Sequence, residues 1–411
     1  MTTSNPAQPA RPNPAQPARP NPAQPARPNP AQPARSKPGQ PVRSNSAQPA
    51  RSKPGQVARV RLGNLLLGTH PHTDATAVTE WLGALQAQDL SSCEWSLGAR
   101  LPGSTRSDVD RAITEGRVLR TWPMRGTLHL VPAVDAGWML ASTGRLALNG
   151  VKRRWQNLGL DEQTANRAAE ILQAALAGGH RLTRSEALQT LTDSGIDTSG
   201  QRGYHFIWFA SQIGVTCLGP NVGREQTIVL LADWAPHQVT RDPDDALREL
   251  ALRFVRSHGP VSTADFARWT GLGVRAARRA ITANDDAVTT VATTDGSGEP
   301  QWQGREPLEP FSGALVLPGF DEFILGYKDR SAMVDPQFQN RLVPGGNGVF
   351  RATIVVKGQV RGTWRRTNRR SAEVIEVEAF APLSAPARKA LDAAFAGYGR
   401  FLDREVTVKY V

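Results

Sequence analysis

The stretch VLRTWPMRGTLHLVP, residues 118–132, decides the fold of this chain. Two runs rich in apolar and β-branched residues flank the turn-forming segment WPMRG, which predicts a short antiparallel hairpin. Thr127 and His129 lie two positions apart, so they share one face of the second strand. Before the hairpin, SDVDRAITEG predicts a helix with Ser107 as the N-cap and Gly116 at C′. Helices followed by a hairpin are typical of a winged helix-turn-helix.

Upstream of this hairpin, ATAVTEWLGALQAQ has the periodicity of an amphipathic helix. Its apolar residues at positions i, i+3, i+4 and i+7 are Val78, Trp81, Leu82 and Leu85. Residues i and i+2 of a regular helix point about 200° apart, so Gln86 and Gln88 can converge only where this helix ends. The following segment, Asp89 to Ser92, supplies such a break, with Ser91 or Ser92 as the cap of the next helix.

The same outline returns twice. RLTRSEALQTLTDSGI and GYHFIWFASQIGVTCLGP predict two helices and a strand, and Thr183 and Glu186 have the spacing of a capping box. The GYHFIWF helix is expected to be the recognition helix of this unit, with its aromatic residues in the core. ALRELALRFVRSHGPVSTADFARWTGLGVRAARRAITAND predicts three helices, one of them capped by Ser262 and the last with a basic face. Three consecutive units of this kind indicate a tandem array.

Beyond residue 310 the apolar pattern changes to period two, which predicts an antiparallel sheet or a small barrel. A helix at 385–396 and a final strand, REVTVKYV, follow. The expected class is α+β: tandem winged helix-turn-helix units, a C-terminal antiparallel β domain and a disordered N-terminal tail. The expected domains are 1–56 (tail), 57–150, 151–240 and 241–310 (first, second and third winged helix) and 311–411 (β domain).

The N-terminal tail holds most of the charge. The chain has 411 residues and a net charge of +12, of which residues 1–56 carry eight basic side chains and no acidic one. The tail repeats PAQPARPN with a period of eight, which predicts extended, polyproline-like disorder. Its charge favours nucleic acid as a partner, and deleting it should flatten the salt dependence of DNA binding. The alternative is a solvated extension without a role in chemistry.

Several classes of protein are excluded by composition. Two cysteines, Cys93 and Cys217, are too few for a disulfide framework or a cysteine-rich zinc site. His70 and His72 form an HPH motif without a nearby third ligand. Phosphate-loop, HExxH and GxSxG motifs are absent, as are a secretory signal and an apolar stretch long enough to cross a bilayer. We expect a cytoplasmic protein, nucleoid-associated when bound to DNA, without metal, cofactor or membrane contact.

Four separated motifs resemble those of one family. LQAQD at 85–89 and RTWPMRGTLHLVP at 120–132 resemble the catalytic signature of the AlkZ-like winged-helix DNA glycosylases, Q-x-Q or Q-x-D followed by an R-G-T-L-H strand. LPGFDEFILGYKDR at 317–330 and VKGQVRGTWRR at 356–366 are similar to that family's C-terminal signatures. The resemblance covers residues 57–411. It implies three winged helices on double-stranded DNA and excision of alkylated or crosslinked purines.

The chemistry of this reaction suits two glutamines. An N7-alkylated guanine is already cationic, so its glycosidic bond breaks without a strong acid, and the protein must position water and stabilise a cationic sugar. A glutamine accepts and donates hydrogen bonds but is not a general base near neutral pH. The resemblance therefore makes Gln86 and Gln88 the catalytic candidates, with water as the nucleophile. No lysine lies in this segment to form a Schiff base, which predicts a monofunctional enzyme.

Other interpretations of these residues stay open. Gln86 and Gln88 alternatively solvate a helix terminus, and Asp89 either orients a glutamine or caps a helix. Thr127 and His129 are possible supporting residues that face a phosphate or a groove, and Arg125 at the turn is a candidate for backbone contact. His129 is alternatively a hydrogen-bonded structural residue.

The remaining DNA-binding candidates are cations and one tyrosine outside this segment: Lys152, Arg153, Arg154, Arg202, Tyr204, Arg275, Arg278, Arg279, Lys328, Arg330, Arg365 and Arg366. Each can neutralise phosphate, and a solvated surface is the alternative. The same helices also permit a non-catalytic DNA-binding regulator. Such regulators usually dimerise on palindromes, whereas this chain shows no heptad or dimer helix and is expected to be a monomer.

Overall fold

The computed structural model describes residues 54–223, 225–292, 299–346, 348–368 and 373–411. The expected disorder of residues 1–56 lies outside these ranges, apart from its last three residues. Those residues form the first turn of helix α1, Pro54–Asn64. Regular structure therefore begins before the expected start at Val57.

The fold is a mixed α+β arrangement. Its other helices are α2 Ala75–Leu82, α3 Leu90–Gly98, α4 Arg106–Thr114, α5 Ala136–Met139, α6 Leu146–Gly150, α7 Lys152–Leu158, α8 Glu162–Leu176, α9 Arg184–Asp193, α10 Arg202–Gln212, α11 Leu231–Trp234, α12 Pro243–His258, α13 Thr263–Thr270, α14 Val274–Thr282, α15 Glu322–Leu325, α16 Gln339–Leu342 and α17 Ala385–Leu402. Short 3₁₀ turns lie at Ala133–Asp135, Pro336–Phe338 and Pro344–Gly346, and a π-helical turn at Leu140–Gly144.

The strands fall into two larger sheets and one two-stranded sheet. They are β1 Leu85–Gln86, β2 Val118–Met124, β3 Thr127–Pro132, β4 Leu182–Thr183, β5 Thr216–Val222, β6 Glu225–Leu230, β7 Val288–Val291, β8 Gln301–Gly304, β9 Ala314–Leu317, β10 Ala352–Val356, β11 Gln359–Asn368, β12 Glu373–Ala379 and β13 Val406–Tyr410.

Three successive regions repeat one plan: a helix, a short paired segment, two more helices and a hairpin. The first unit consists of α2, β1, α3, α4 and the β2–β3 hairpin. The second consists of α8, β4, α9, α10 and β5–β6. The third consists of α12, an isolated bridge between Val261 and Trp302, α13, α14 and β7–β8.

The first two units share one sheet. Its strand order is β1-β3-β2-β5-β6-β4, with Arg120 of β2 paired to Leu218 of β5 at the centre. On each side of this centre the strands follow in the same order: the first hairpin strand, the second hairpin strand and the short strand. Each unit therefore contributes its hairpin and the short strand that precedes it. The domain division stays a prediction, and its boundary at 150/151 would fall between strands of this sheet.

Helix ends follow the capping chemistry predicted for them, with two corrections. Thr183 with Glu186 and Ser262 with Asp265 form complete capping boxes. The N-cap of α4 is Thr105 and not Ser107, because Thr105 has the extended backbone that a cap needs and exchanges hydrogen bonds with Asp108. Helix α2 ends at Leu82, where Gly83 has a φ of 79°. The helix predicted to continue through Leu85 is therefore too long.

Helix α10, the expected recognition helix of the second unit, is almost entirely buried. Tyr204 is its one exposed residue, and Phe206, Trp208 and Phe209 are buried as expected. The helix packs against α8 and β2. Its apolar side chains belong to the core of the second unit, which also contains Trp122 and Leu128 from the first hairpin.

The C-terminal sheet has the order β13-β12-β11-β10-β9 and is not purely antiparallel. Strand β13 runs parallel to β12, because α17 returns the chain to the starting end of the sheet before β13 begins. Helix α17 extends to Leu402, beyond the predicted end at residue 396. The DNA-binding candidates Lys328 and Arg330 follow the short helix α15. Among the described residues, no helix is both long and apolar enough to cross a membrane.

Candidate active site

Gln86 lies on the short strand β1, and Gln88 lies in the bend that follows it. After Gly83 ends α2, Leu85 pairs with Leu130 and Gln86 with His129, and the N–H of Ala87 donates to the carbonyl of Leu128 at 2.8 Å. Because α2 ends before either glutamine, the divergence that a regular helix would impose on an i, i+2 pair does not arise.

Each glutamine carboxamide is anchored on the first hairpin. The Oε1 of Gln86 accepts a hydrogen bond from Nη2 of Arg125 at 3.3 Å. The Oε1 of Gln88 accepts from the backbone N–H of Leu128 at 3.2 Å. Because a guanidinium and a peptide N–H can only donate, both contacts identify the carbonyl oxygen of the amide. Gln86 is 9% exposed, whereas Gln88 is exposed.

Asp89 is the N-cap of α3. Its carboxylate accepts from the N–H of Ser92 at 2.8 Å and from the hydroxyl of Ser91 at 2.9 Å. Partial burial alone would raise the pKa of Asp89, but these hydrogen bonds hold it below its ordinary value. Of the two interpretations open for Asp89, these contacts correspond to the cap. Neither Ser91 nor Ser92 takes that role.

Arg125 occupies a tight turn and reaches back over Gln86. Met124 pairs with Thr127, and the two turn residues Arg125 and Gly126 have φ values of 55° and 70°. Besides Gln86, the guanidinium donates to the carbonyl of Arg268 at 3.2 Å. Burial lowers the pKa of Arg125, the charge of Glu322 opposes that shift, and Arg268 adds to it. The guanidinium is thus part of the glutamine site and not a free cation at the hairpin tip.

His129 is fully buried beneath Arg125. Its Nδ1 lies 2.9 Å from the carbonyl of Thr127, which places the proton on Nδ1, and Nε2 is 3.4 Å from Nη2 of Arg125. Burial and the charge of Arg125 lower the pKa of His129 to about 3. The ring is therefore neutral near pH 7. The Thr127 hydroxyl donates a hydrogen bond to the carbonyl of Met124 at 3.4 Å.

A buried acid that the sequence reasoning missed lies behind Gln86. Oε1 of Glu322 accepts from the backbone N–H of Gln86 at 3.3 Å. Its Oε2 accepts from Nε1 of Trp269 at 3.1 Å and lies 3.3 Å from Nε2 of His258. The sequence feature that could have indicated it is LPGFDEFIL, in which apolar residues surround two carboxylates. Acidic residues in such surroundings are rarely buried unless they are paired.

Three other parts of the chain hold the first hairpin in place. A Cβ added to Gly126 would lie 3.2 Å from the Trp208 ring of α10, so this turn packs against the second unit. A Cβ on Gly271, at the end of α13, would lie 3.4 Å from Cγ of Arg125. Glu322 comes from the region after the third unit. The site is therefore assembled where all three units and the C-terminal region meet.

Two further arginines lie near Arg125. The sequence predicted Arg330 as a DNA-binding residue but gave no indication of Arg268. Arg268 donates to the carbonyl of Leu325 at 2.8 Å, and Arg330 donates to that of Ile324 at 2.7 Å. Burial lowers the pKa of Arg330 to about 10, and the charge of Arg268 contributes to the shift. We call Arg125, Arg268 and Arg330 the arginine row. Backbone carbonyls fix each of its guanidinium groups in position.

The other predicted cations are distributed over several elements. Lys152, Arg153 and Arg154 are exposed on α7, and Arg275, Arg278 and Arg279 on α14. Lys328 is also exposed. Arg365 and Arg366 lie on β11, and the charge of Arg366 acts on Asp89. Arg365 pairs with Glu376 at 2.5 Å, and Arg366 donates to the Tyr398 hydroxyl at 3.3 Å.

Arg202 has a structural role at the start of α10. It donates to the carbonyl of Leu158 at 2.9 Å and pairs with Asp197 at 3.3 Å. Its neighbour Tyr204 remains 40% exposed. The HPH segment is also engaged, since Nε2 of His70 lies 2.8 Å from the carbonyl of Arg100. In the part of the chain that the structure describes, no group of three or more His, Cys, Asp or Glu side chains could hold a metal ion.

Comparison with known proteins defines the class to which this arrangement belongs. The solved structure of Streptomyces sahachiroi DNA glycosylase AlkZ has the same fold, with a TM-score of 0.74 at 24% identity over 88% of this chain and 100% of that chain. A protein of that organism, described as an interstrand DNA cross-link repair glycosylase, is 26% identical over 324 residues, covering 74% of this chain and 85% of the relative.

The family model described as DNA glycosylase AlkZ-like matches residues 79–401. This range contains both glutamines, the first hairpin, Glu322 and the arginine row. The chain belongs to the AlkZ-like DNA glycosylase family.

Proposed function

We propose that this protein is a monofunctional DNA repair glycosylase that hydrolyses the N-glycosidic bond of alkylated purines of the N7-alkylguanine type, or of crosslinked purines. The observation that carries the proposal is the anchoring of two glutamine carboxamides on one hairpin, through Arg125 and Leu128. Gln86 and Gln88 position a water molecule and stabilise positive charge on the deoxyribose. The relative named for cross-link repair supports the crosslinked substrate.

The hydrogen bonds of the glutamines suit this chemistry. With one lone pair of each Oε1 occupied, a second lone pair can accept from water and the NH₂ group remains a donor. His129 is neutral and buried, so it is not a proton donor to the leaving base. A cationic lesion has no need of such a donor, because its base leaves as a neutral molecule. Residues 57–151 contain no lysine, which supports water as the nucleophile.

Duplex DNA is the partner that the charges favour. We assign the three helix-and-hairpin units to winged helices. We assign the arginine row to binding phosphates beside the lesion, because guanidinium groups held by backbone carbonyls are preorganised donors. The exposed cations of α7 and α14 add sequence-independent affinity. Gln88 is exposed, so a lesion can approach from solvent, and a bulky crosslink need not enter a closed pocket. We propose that the enzyme acts as a monomer.

The decisive experiment measures free 7-methylguanine released from methylated duplex DNA. The native protein should release the base, and Gln86→Ala/Gln88→Ala should lose the activity while still binding duplex. A duplex with an interstrand crosslink, tested beside the monoadduct, separates the two substrate classes. Sequence-selective duplex binding by a native protein that releases no base would replace this proposal with a non-catalytic regulator.

A further inference from the structure

Glu322 combines burial with an unusual set of partners. It is 1% exposed and begins the short helix α15. Its three hydrogen-bonding partners come from three elements: the Gln86 peptide of β1, the Trp269 indole of α13 and the His258 imidazole of α12. The Ser257 hydroxyl donates to the carbonyl of Arg253 at 2.6 Å, and its oxygen lies 2.8 Å from Nδ1 of His258.

The partners keep the carboxylate ionised. Burial alone would raise the pKa of Glu322, but the hydrogen bond from His258 and the charge of Arg125 hold it below its ordinary value. An indole and a peptide N–H can only donate, so both oxygens of Glu322 are acceptors. The geometry therefore places a negative charge directly behind the backbone of Gln86.

The preceding residue, Asp321, is a buried acid with a different set of partners. Asp321 is also buried, and the Arg100 guanidinium contacts both of its oxygens at 2.8 and 3.2 Å. Ser96 contributes a further hydrogen bond to Asp321. A full cation thus balances the charge of Asp321 on the side facing α3. Glu322 has no arginine partner of this kind: its Oε2 lies beside His258 and Trp269, and its Oε1 faces the glutamine site, where Arg125 and the neutral His129 lie.

We propose that Glu322 is a positioning residue that supplies a fixed negative charge to the sugar beside Gln86 and a counter-charge to Arg125. The proposal rests on the proposed glycosylase function. As the base leaves with the bonding electrons, the deoxyribose becomes cationic, and a carboxylate fixed in a buried site stabilises that charge without reorganising. Glu322 transfers no proton and forms no bond.

Its position also explains how Arg125 can lie over Gln86. A lone guanidinium there would repel a cationic sugar. With Glu322 behind the peptide, the two charges oppose each other, and Arg125 can orient the Gln86 amide at a smaller cost to the transition state.

The experiment compares binding to two abasic-site analogues in otherwise identical duplexes. One carries a protonated pyrrolidine in place of the sugar, and the other a neutral tetrahydrofuran. The ratio of their Kd values reports how strongly the site prefers a cationic sugar. A general loss of folding or of DNA contact weakens both complexes and leaves the ratio unchanged.

Three substitutions at position 322 separate charge from packing. Glu322→Gln and Glu322→Met remove the charge, and Met introduces no misplaced amide donor. Both should lower the preference for the cationic analogue by about tenfold and slow single-turnover release of 7-methylguanine by about 10²-fold, with the half-saturating DNA concentration unchanged. Glu322→Asp keeps the charge and should retain most of the preference.

Asp321→Asn is the matched control. It removes the neighbouring buried charge, so it should lower the melting temperature while leaving the ratio of Kd values at the native value. A native ratio in either folded charge-free variant would overturn the proposal for Glu322. Failure of both to fold, with Glu322→Asp folded, would assign the carboxylate to stability and also overturn it. A native protein that releases no 7-methylguanine would instead reject the proposed function itself.

Discussion

The first and second units place different residues at the same point of one framework. In both units a short strand pairs with the second strand of a hairpin. The residue pair that closes the hairpin turn lies at the same distance along that strand from the pairs with the short strand. The corresponding pairs are Leu85↔Leu130 with Leu182↔Ile228, Gln86↔His129 with Thr183↔Thr227, and Met124↔Thr127 with Val222↔Glu225. Gln86 therefore corresponds to Thr183, and His129 to Thr227.

The units differ in where the next helix begins. Thr183 caps α9 at once, and Ser262 does the same for α13 in the third unit, directly after the bridged residue Val261. In the first unit the cap comes only at Asp89, after Ala87 and Gln88. A cap side chain is occupied by the N–H groups of its helix. Delaying the cap in the first unit leaves Gln86 and Gln88 available for chemistry.

The largest effect is expected when the first unit receives, at position 86, the threonine that the second unit has at the corresponding position 183. Gln86→Thr removes the carboxamide but keeps a residue well suited to a strand. We expect release of 7-methylguanine to fall by about 10²–10³-fold, the usual effect of losing one transition-state donor. The measurement is the single-turnover rate at saturating enzyme.

The reciprocal substitution is the control. Thr183→Gln should cost about 1 kcal/mol of unfolding free energy through loss of the capping box and leave the rate of excision at the native value. Equal losses of activity from both substitutions would mean that the two positions are not functionally different.

A second difference lies in the buried His129, which replaces the Thr227 of the second unit. The pKa of His129 is about 3 in the folded protein, against about 6.5 when unfolded. Below pH 6.5 the unfolded chain therefore binds a proton that the folded chain does not, and stability falls as the pH falls. Between pH 6.5 and 5 this amounts to about 2 kcal/mol, whereas above pH 7.5 the residue contributes no pH dependence.

Urea unfolding at pH 7.5 and pH 5.0 measures this effect. The native protein should lose about 2 kcal/mol more between these pH values than His129→Asn does. The same loss in both proteins would show that His129 does not titrate in this way.

The turn of the first hairpin has a matched counterpart in the C-terminal sheet. Lys357 and Gly358 connect Val356 to Gln359 with φ values of 53° and 80°, so Lys357 has nearly the backbone of Arg125. Asparagine tolerates this conformation. Arg125→Asn should lower excision about tenfold by releasing the Gln86 amide, a loss of about 1.4 kcal/mol. Lys357→Asn should leave excision unchanged, and a matching loss in that variant would trace the effect to the turn itself.

The smallest expected effect concerns the delayed cap. Asp89→Ala should cost about 1 kcal/mol of unfolding free energy, and Asp89→Ser should restore most of it, since serine is also a good N-cap. Excision by Asp89→Ser should remain near the native rate. A large loss of excision in this well-folded variant would favour the other interpretation, in which Asp89 orients a glutamine.

Local features were the most predictable ones. The capping box at Thr183, the N-cap at Ser262 and the hairpin around Arg125 depend on residues a few positions apart, and the structure contains them. The end of α2 was misplaced because the apolar period continues to Leu85, although Gly83 ends the helix. The burial of α10 was only partly foreseen, since a run of aromatic residues does not reveal which elements will cover it.

By itself, the amino-acid sequence determined the α+β class, the resemblance to the family and the short motifs that carry Gln86, Gln88 and His129. Only the tertiary structure decided that Gln86 lies on an edge strand, that Arg125 turns inward and that Glu322 lies behind Gln86. Gln86 and Glu322 are 236 positions apart. Their contact depends on how α12, α13 and the first hairpin pack together, which no periodicity or spacing along the chain encodes.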